Sequence, residues 1–262
     1  MGGAKIFDHS SGKRLKVGSA KIYFEQHGDI SLPVILFLHG ALGSIEDFNG
    51  IISKIPANTF RILGIDNRGH GKSTLGTEHL NYELLQYEIE AVLRHLNIRK
   101  LIIIGFSNGG TLAYRLASNS NLEIEKLITI GSPWASKHTE HLHAFFSALT
   151  SEIWKLQCPA DYEKLKKLNP ECDFDRVFQQ MINMALDTGP KGRPNFHVKN
   201  ILCPVLALRG ENDSVVSHQN LNELTTLVQR VDAITIPKAG HEIFSDQLEV
   251  LMGYIKSFLC IE

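Results

Sequence analysis

The sequence lacks the cysteine patterns that bind metal ions or cross-link small secreted domains. None of its few cysteines forms a C-x-x-C pair, and their spacings match neither zinc ligands nor a disulfide framework. Free thiols in a reducing compartment are the simpler interpretation. The cysteines are Cys158, Cys172, Cys203 and Cys260.

Long apolar runs and an excess of charge of one sign are also absent. No stretch approaches the roughly 18–20 apolar residues that a membrane-spanning helix needs, and residues 1–19 lack the apolar segment of a signal peptide. The net charge of −1 at pH 7 creates no field that would attract nucleic acid or an anionic membrane. These absences predict a cytoplasmic protein that acts on a small-molecule substrate, with a monomer or a homodimer as the expected assembly.

Nucleotide and metal motifs are missing as well. The stretch GHGKS is similar to the end of a phosphate-binding loop, but Asp66 stands where that loop needs its first glycine. No G-x-G-x-x-G follows an apolar run. His138, His141 and His143 lie close together in the sequence, but they do not form H-E-x-x-H and are expected on a solvated helix face. We therefore expect neither a cofactor nor a metal ion.

Near-continuous apolar runs alternate with amphipathic helical patterns along the chain. Such runs are typical of strands that are covered on both faces, as in a parallel sheet. The alternation predicts an α/β fold with a doubly wound, mostly parallel sheet. The predicted strands lie in KIYFEQHG (21–28), PVILFLHG (33–40), FRILGID (60–66), KLIIIGF (100–106), KLITIGS (126–132), PVLALRG (204–210) and DAITIPKAG (232–240).

One region, residues 134–199, has helical patterns and large apolar side chains but no convincing strand. We interpret it as a helical cap that is inserted after the strand at 126–132. Inserts at this place in an α/β sheet tend to lie over the ligand crevice. The α/β core is then expected to comprise residues 1–133 and 200–262.

The stretch GFSNGG places a serine between glycines, directly after an apolar run. A nucleophilic serine must project from a sharp strand-to-helix turn, and small residues two positions before and after it relieve the crowding of that turn. Gly105 and Gly109 occupy these positions around Ser107, and a helical pattern follows. This context predicts that Ser107 is a catalytic nucleophile.

A serine hydroxyl needs a base to take its proton, and the base needs an acid to orient it. Asp213 and His241 both follow predicted strands, so the sheet is expected to bring them to the same edge as Ser107. His241 is then the base and Asp213 the acid. Other candidates are weaker by their position or chain order. They are Glu211, Asp187 and His39.

The tetrahedral intermediate of acyl transfer carries an oxyanion, which backbone N–H groups stabilise. The N–H of Asn108, directly after the serine, is one expected donor. The second is expected from the loop HGALGS (39–44), from Ala41 with Leu42 as the fallback. Leu42 and Trp134 are also the residues expected to line an apolar substrate pocket, because such side chains line most pockets.

Five motifs stand in the order found in the α/β hydrolase superfamily: HGALGS, DNRGHGKS, GFSNGG, GENDSVV and AGHE. Residues 22–259 resemble the single-domain members of this superfamily that carry a helical cap. The resemblance implies a triad of Ser107, Asp213 and His241 and a substrate pocket between cap and sheet. It implies a mainly structural role for DNRGHGKS. Asn108 departs from the family pattern, because many members carry Met, Leu or Gln there.

The expected activity is that of a serine hydrolase that cleaves a small, apolar carboxylic ester through an acyl-enzyme. A thioesterase stays open, as does a hydrolase or lyase that cleaves a carbon–carbon bond in a diketone-type substrate, because similar capped relatives catalyse such reactions. A ligand receptor on the same fold is a further alternative, which slow turnover would reveal. Dehalogenase and epoxide hydrolase activities are disfavoured, since those relatives place an aspartate where Ser107 stands.

Overall fold

The computed structural model describes residues 6–262, in which one sheet is formed by eight strands. The strands are β1 (Lys13–Val17), β2 (Ala20–His27), β3 (Val34–Leu38), β4 (Arg61–Ile65), β5 (Lys100–Phe106), β6 (Glu123–Ile130), β7 (Val205–Gly210) and β8 (Val231–Ile236). Their order across the sheet is β1-β2-β4-β3-β5-β6-β7-β8. β1 and β2 are antiparallel to their neighbours, whereas β4, β3 and β5 to β8 are parallel. The expected doubly wound, mostly parallel sheet is confirmed.

Helices connect the parallel strands. They are α1 (Asn49–Ile52), α2 (Tyr82–His95), α3 (Asn108–Asn119), α4 (His143–Ala148), α5 (Ser151–Gln157), α6 (Pro159–Leu168), α7 (Phe174–Leu186), α8 (His218–Leu227), α9 (Ile243–Asp246) and α10 (Leu248–Leu259). Short 3₁₀ helices span Ile45–Phe48, Ser136–Leu142 and Asn195–Asn200. α2 shows why these segments are helical: the Asn81 side chain accepts the Leu84 N–H at its start, and its apolar residues form one buried stripe.

The sheet is covered on both faces, which explains the continuous apolar runs in its strands. Leu36 and Leu38 of β3 pack in one core cluster, together with residues of α2, α3 and α8. Ile35 and Phe37 of the same strand point the other way, into a second cluster with α1 and α10. Since successive side chains of a strand alternate between faces, every position of such a strand must be apolar.

The edge strand β1 is an element that the sequence patterns did not predict. Its sequence, KRLKV, is short and mostly exposed, so it carries neither an apolar run nor a clear alternation. A two-residue turn joins it to β2, and Gly18 in this turn has a positive φ of 58°. Glycine adopts that conformation without steric cost, so the turn is the local signal for the hairpin.

The segment between β6 and β7 is helical, as expected. It comprises α4 to α7 and two of the 3₁₀ helices. It has an apolar cluster of its own, separate from the two clusters of the sheet. The buried members of this cluster are Leu42, Leu75, Leu165, Phe174, Val177, Phe178, Met181 and Ile182. Leu42 and Leu75 come from loops of the sheet, and they therefore join the helical segment to the rest of the fold.

The helices of residues 6–262 are short or amphipathic rather than long and apolar. None of these helices combines the length and the apolar character that crossing a bilayer requires.

Candidate active site

Ser107 lies in a sharp turn between the end of β5 and the start of α3. Its backbone has φ 50° and ψ −118°, a conformation that is strained for any residue other than glycine. A Cβ atom on Gly105 would lie 2.6 Å from the carbonyl oxygen of Gly109, and one on Gly109 would lie 2.0 Å from the carbonyl oxygen of Leu38. The two glycines of G-x-S-x-G are therefore required because backbone passes directly beside them.

The close approach at Gly109 gives a test of this turn. The variant Gly109→Ala is expected to lose about 2 kcal/mol or more of unfolding free energy, because a methyl group there overlaps the Leu38 carbonyl and the backbone must move. Gly253→Ala is the matched control: this glycine lies in α10 with nothing within 4 Å of an added Cβ. Alanine there is expected to raise stability by about 0.5–1 kcal/mol, because it favours the helix. Urea unfolding measures both, and equal effects of the two variants would contradict the steric explanation.

Ser107, His241 and Asp213 form a continuous line of hydrogen bonds. The Ser107 Oγ lies 3.0 Å from Nε2 of His241, and the Nδ1 of His241 lies 3.1 Å from each carboxylate oxygen of Asp213. His241 can therefore donate its Nδ1 proton to the carboxylate while Nε2 accepts the serine proton. The structure thus brings together three side chains from distant parts of the sequence.

Asp213 is held as a carboxylate by the groups around it. Its burial favours the neutral form, but hydrogen bonds from His241 and from the N–H groups of Val216 and Val215 outweigh this effect and lower the pKa of Asp213. The side chain has no exposed surface. The carboxylate is thus ionised at neutral pH and available to orient the imidazole.

The other candidate acids and bases are engaged elsewhere. The Glu211 carboxylate accepts the N–H of Lys238, and the Asp187 carboxylate accepts the N–H of Gly189. His39 is fully buried, where its Nδ1 lies 2.7 Å from the Gly40 carbonyl oxygen and its Nε2 accepts the N–H of Asn67. Burial lowers the pKa of His39, so the ring remains neutral and can keep both bonds.

The loop after β3 places backbone donors near the serine. The N–H groups of Ala41 and Asn108 have no hydrogen-bond acceptor among residues 6–262. The N–H of Leu42, the fallback donor, also has none within this range. Ala41 is exposed whereas Leu42 is buried, which favours Ala41 as the donor that a substrate can reach. Gly40 approaches Ser107 closely, since a Cβ on it would lie 3.3 Å from the serine Cβ.

A buried polar network fixes this loop from behind. Asp66, the first residue of DNRGHGKS, accepts the N–H groups of Ile45 and Lys72. His9 lies between Asp66 and Glu46, at 2.8 Å and 2.7 Å from their carboxylate oxygens. Burial opposes a charge on His9, but its bonds to Asp66 and Glu46 prevail and raise its pKa. No sequence pattern indicated His9, because a single histidine near the N-terminus carries no motif.

The structure places three side chains for which the sequence predicted a position, and two of them, Trp134 and His138, lie elsewhere than expected. Trp134 is fully buried in the core cluster that contains α3 and α8, and its indole N–H donates to the carbonyl of Asn220. The structure therefore places Trp134 in the packed core, not at the wall of a pocket. Leu42 packs in the apolar cluster of the helical segment. His138, expected on a solvated face, is only 6% exposed and packs edge-on against Trp134.

A second contact that the sequence did not reveal involves the residue after the nucleophile. The hydroxyl of Tyr82, at the start of α2, donates to Oδ1 of Asn108 at 3.0 Å. The two residues are 26 positions apart, and no spacing pattern predicts which way either side chain points. Residues 6–262 contain no cluster of three or more histidine, cysteine or acidic side chains suited to a metal ion.

Comparisons with known proteins identify the family. Residues 33–168, which are 136 of the 262 residues, match the family model described as alpha/beta hydrolase fold. The chain belongs to this family. This α/β hydrolase is 28% identical over 254 residues to the sn-1-specific diacylglycerol lipase ABHD11 of Mus musculus, with 88% of the chain and 82% of that protein covered.

Further relatives of this α/β hydrolase carry other names. It is 24% identical, over a gapped alignment of 284 positions, to Epoxide hydrolase 4 of Mus musculus, with 94% of the chain and 78% of that protein covered. Among solved structures, carboxylesterase CesB (YbfK) from Bacillus subtilis superposes with a TM-score of 0.73 at 20% identity, covering 97% and 92% of the two chains. The fold and the family together show that the chain is a hydrolase.

Proposed function

We propose that this α/β hydrolase is a serine hydrolase that cleaves a small carboxylic ester, with Ser107, His241 and Asp213 as its catalytic triad. The observation that carries the proposal is the hydrogen-bonded line from the serine hydroxyl through the imidazole to the carboxylate. Two similar proteins are named as a diacylglycerol lipase and a carboxylesterase, and both names describe ester hydrolysis.

The proposed reaction begins with attack of the Ser107 Oγ on the ester carbonyl, while Nε2 of His241 takes the hydroxyl proton. The N–H groups of Asn108 and Ala41 donate to the resulting oxyanion. The carbon–oxygen bond to the alcohol then breaks, and His241 protonates the departing alkoxide. A water molecule, deprotonated by His241, attacks the acyl-enzyme and releases the acid, and Ser107 regains its proton. Asp213 stabilises the imidazolium in both halves.

The identity of residue 107 argues for an ester rather than an epoxide, even though several relatives are named epoxide hydrolases. If a serine opened an epoxide, the product on the enzyme would be an ether, which has no carbonyl for water to attack. An acyl group on Ser107 is an ester, and the same base and oxyanion donors that form it also hydrolyse it. The nucleophile in this chain therefore suits acyl transfer.

The helical segment is proposed to serve as the cap of the site, in line with the expected division into residues 134–199 and a core of 1–133 and 200–262. Its apolar cluster includes Leu42, which is next to the proposed oxyanion donor Ala41. Apolar surroundings of this kind beside the proposed oxyanion donor suit an apolar acyl or alcohol group of modest size. The chemistry needs no cofactor, metal ion or macromolecular partner.

A cytoplasmic location is part of the same proposal. All four cysteines of the chain are free thiols, two of them exposed. Exposed thiols persist most readily in a reducing compartment, which supports this location.

A substrate panel tests the proposed function directly. The purified chain is expected to hydrolyse p-nitrophenyl acetate and butyrate with multiple turnovers, and short acyl esters faster than the matching thioesters or diketones. Release of p-nitrophenol, of thiol and of acid provides the three readouts. Reaction of a single equivalent followed by arrest would support a receptor instead, and faster cleavage of the diketones would support a carbon–carbon hydrolase.

A further inference from the structure

Asn108 carries an amide side chain directly beside the proposed nucleophile. Its backbone N–H is the proposed oxyanion donor, and this role does not depend on the side chain. The side chain is half-buried, and its carbonyl oxygen accepts the hydroxyl of Tyr82. An amide also has two N–H donors on Nδ2, and the bond to Tyr82 uses neither of them.

Tyr82 fixes the orientation of this amide. Tyr82 is fully buried, and a buried phenol hydroxyl requires an acceptor. Burial raises the pKa of Tyr82, so its hydroxyl stays protonated and remains a donor at neutral pH. In the structure the carbonyl end of the amide lies at the Tyr82 hydroxyl, which also contacts the Thr111 hydroxyl, and Nδ2 is the end that does not bond Tyr82.

The free end of the amide has no partner within the described residues. No residue among 6–262 accepts a hydrogen bond from Nδ2 of Asn108, and this atom is not among the buried polar atoms sealed from solvent. A donor that is oriented, accessible and next to the nucleophile can bind only water or a substrate group. The carbonyl oxygen of the amide thus serves the Tyr82 hydroxyl, and only the Nδ2 end is left for a ligand.

We propose that Nδ2 of Asn108 donates a hydrogen bond to the substrate, and that the substrate is an ester with an acceptor oxygen, such as an ether, hydroxyl or carbonyl oxygen, close to the scissile carbonyl. Asn108 is then a residue that determines specificity, and Tyr82 positions it. This inference rests on the proposed function, because it assigns the substrate class of the same site. A site with a fixed donor discriminates against an analogue that lacks the acceptor, since the donor is then left unpaired.

The test uses pairs of esters in which one oxygen replaces one methylene group. The acyl-side pair is p-nitrophenyl methoxyacetate and p-nitrophenyl butyrate, and the alcohol-side pair is 2-methoxyethyl acetate and butyl acetate. For each pair the ratio of kcat/KM values is divided by the ratio of the rates of alkaline hydrolysis, which removes the intrinsic reactivity of the esters. The wild-type chain is expected to prefer the ether member of one pair by about 3- to 10-fold, the range of one neutral hydrogen bond.

Two variants distinguish the effect of losing the Nδ2 donor from the effect of a disturbed fold. Asn108→Leu removes the donor, and the preference for the ether member is expected to fall to within twofold of unity. Asn108→Asp keeps an oxygen for the Tyr82 hydroxyl but replaces the donor by an acceptor, so it should fold as the wild type does and favour the alkyl member. The general loss of rate from the added negative charge cancels in the ratio.

The outcomes decide between the two proposals. A wild-type ratio near unity in both pairs, or a ratio that both variants leave unchanged, overturns the role of Asn108 while ester hydrolysis stands. If the wild-type chain hydrolyses none of the four esters, the proposed function fails and the inference fails with it. A preference that the variants abolish in only one pair supports the inference and assigns the acceptor to the acyl or to the alcohol side.

Discussion

Replacing Ser107 by alanine is expected to lower kcat for p-nitrophenyl acetate and butyrate by at least about 10³-fold, and to abolish covalent labelling by a fluorophosphonate. The physical reason is that no other hydroxyl is bonded to Nε2 of His241, within the described residues, so no activated nucleophile remains. Alanine also suits the turn, because it removes only the oxygen. Initial rates and intact-protein mass spectrometry measure the two effects.

The control for this variant is Ser147→Ala. Ser147 is exposed on α4, so its loss should leave labelling and hydrolysis unchanged. Circular dichroism should show the same helix content for both variants and the wild type. Full hydrolysis by the Ser107→Ala variant would remove Ser107 from the mechanism, and labelling that persists at another residue would identify the nucleophile to consider next.

The second large effect is expected from His241→Ala, which should reduce kcat by about 10³-fold or more. Without the imidazole, the Ser107 hydroxyl has no base to take its proton and the departing alkoxide has no acid to protonate it. The rate of fluorophosphonate labelling should fall in parallel, because it depends on the same activated oxygen. Stopped assays with high enzyme concentration are needed to measure the residual rate.

An exposed histidine provides the matched comparison for this variant. His197 lies in the 3₁₀ helix Asn195–Asn200, away from the hydrogen-bonded line, and His197→Ala should keep the wild-type kcat. If His241→Ala retained more than about a tenth of the wild-type rate, a different base would have to act. If labelling by the fluorophosphonate fell but hydrolysis did not, the two reactions would not depend on the same base, which contradicts the role proposed for His241.

The parallel sheet could be predicted from the sequence because its central strands are buried on both faces. In β3, β5 and β7 almost every residue is buried, so the apolar run itself marks the strand. β1 was not predicted because it forms an edge of the sheet and most of its side chains are exposed to solvent. Its pairing with β2 depends on backbone hydrogen bonds and a two-residue turn, which leave little trace in hydrophobicity.

The residues of the site could be predicted where backbone position alone decides their placement. Ser107, Asp213 and His241 each follow the end of a strand, and strand ends meet at one edge of a parallel sheet. The direction in which a side chain points could not be predicted in this way. The sequence shows that Trp134 is large and apolar, but it does not show that the indole turns into the core. The bond between Tyr82 and Asn108 was hidden for the same reason.

Leu42 connects the helical segment between β6 and β7 to the loop that follows β3. Its backbone lies in the left-handed region at φ 56°, and its side chain is held among apolar residues of α6 and α7. One peptide bond away is Ala41. A shift of α7 would therefore reach, through one peptide bond, the N–H group of Ala41, which is the proposed donor to the oxyanion. We therefore expect that a change in the size of a side chain on α7 alters the proposed stabilisation of the oxyanion without any contact to the substrate.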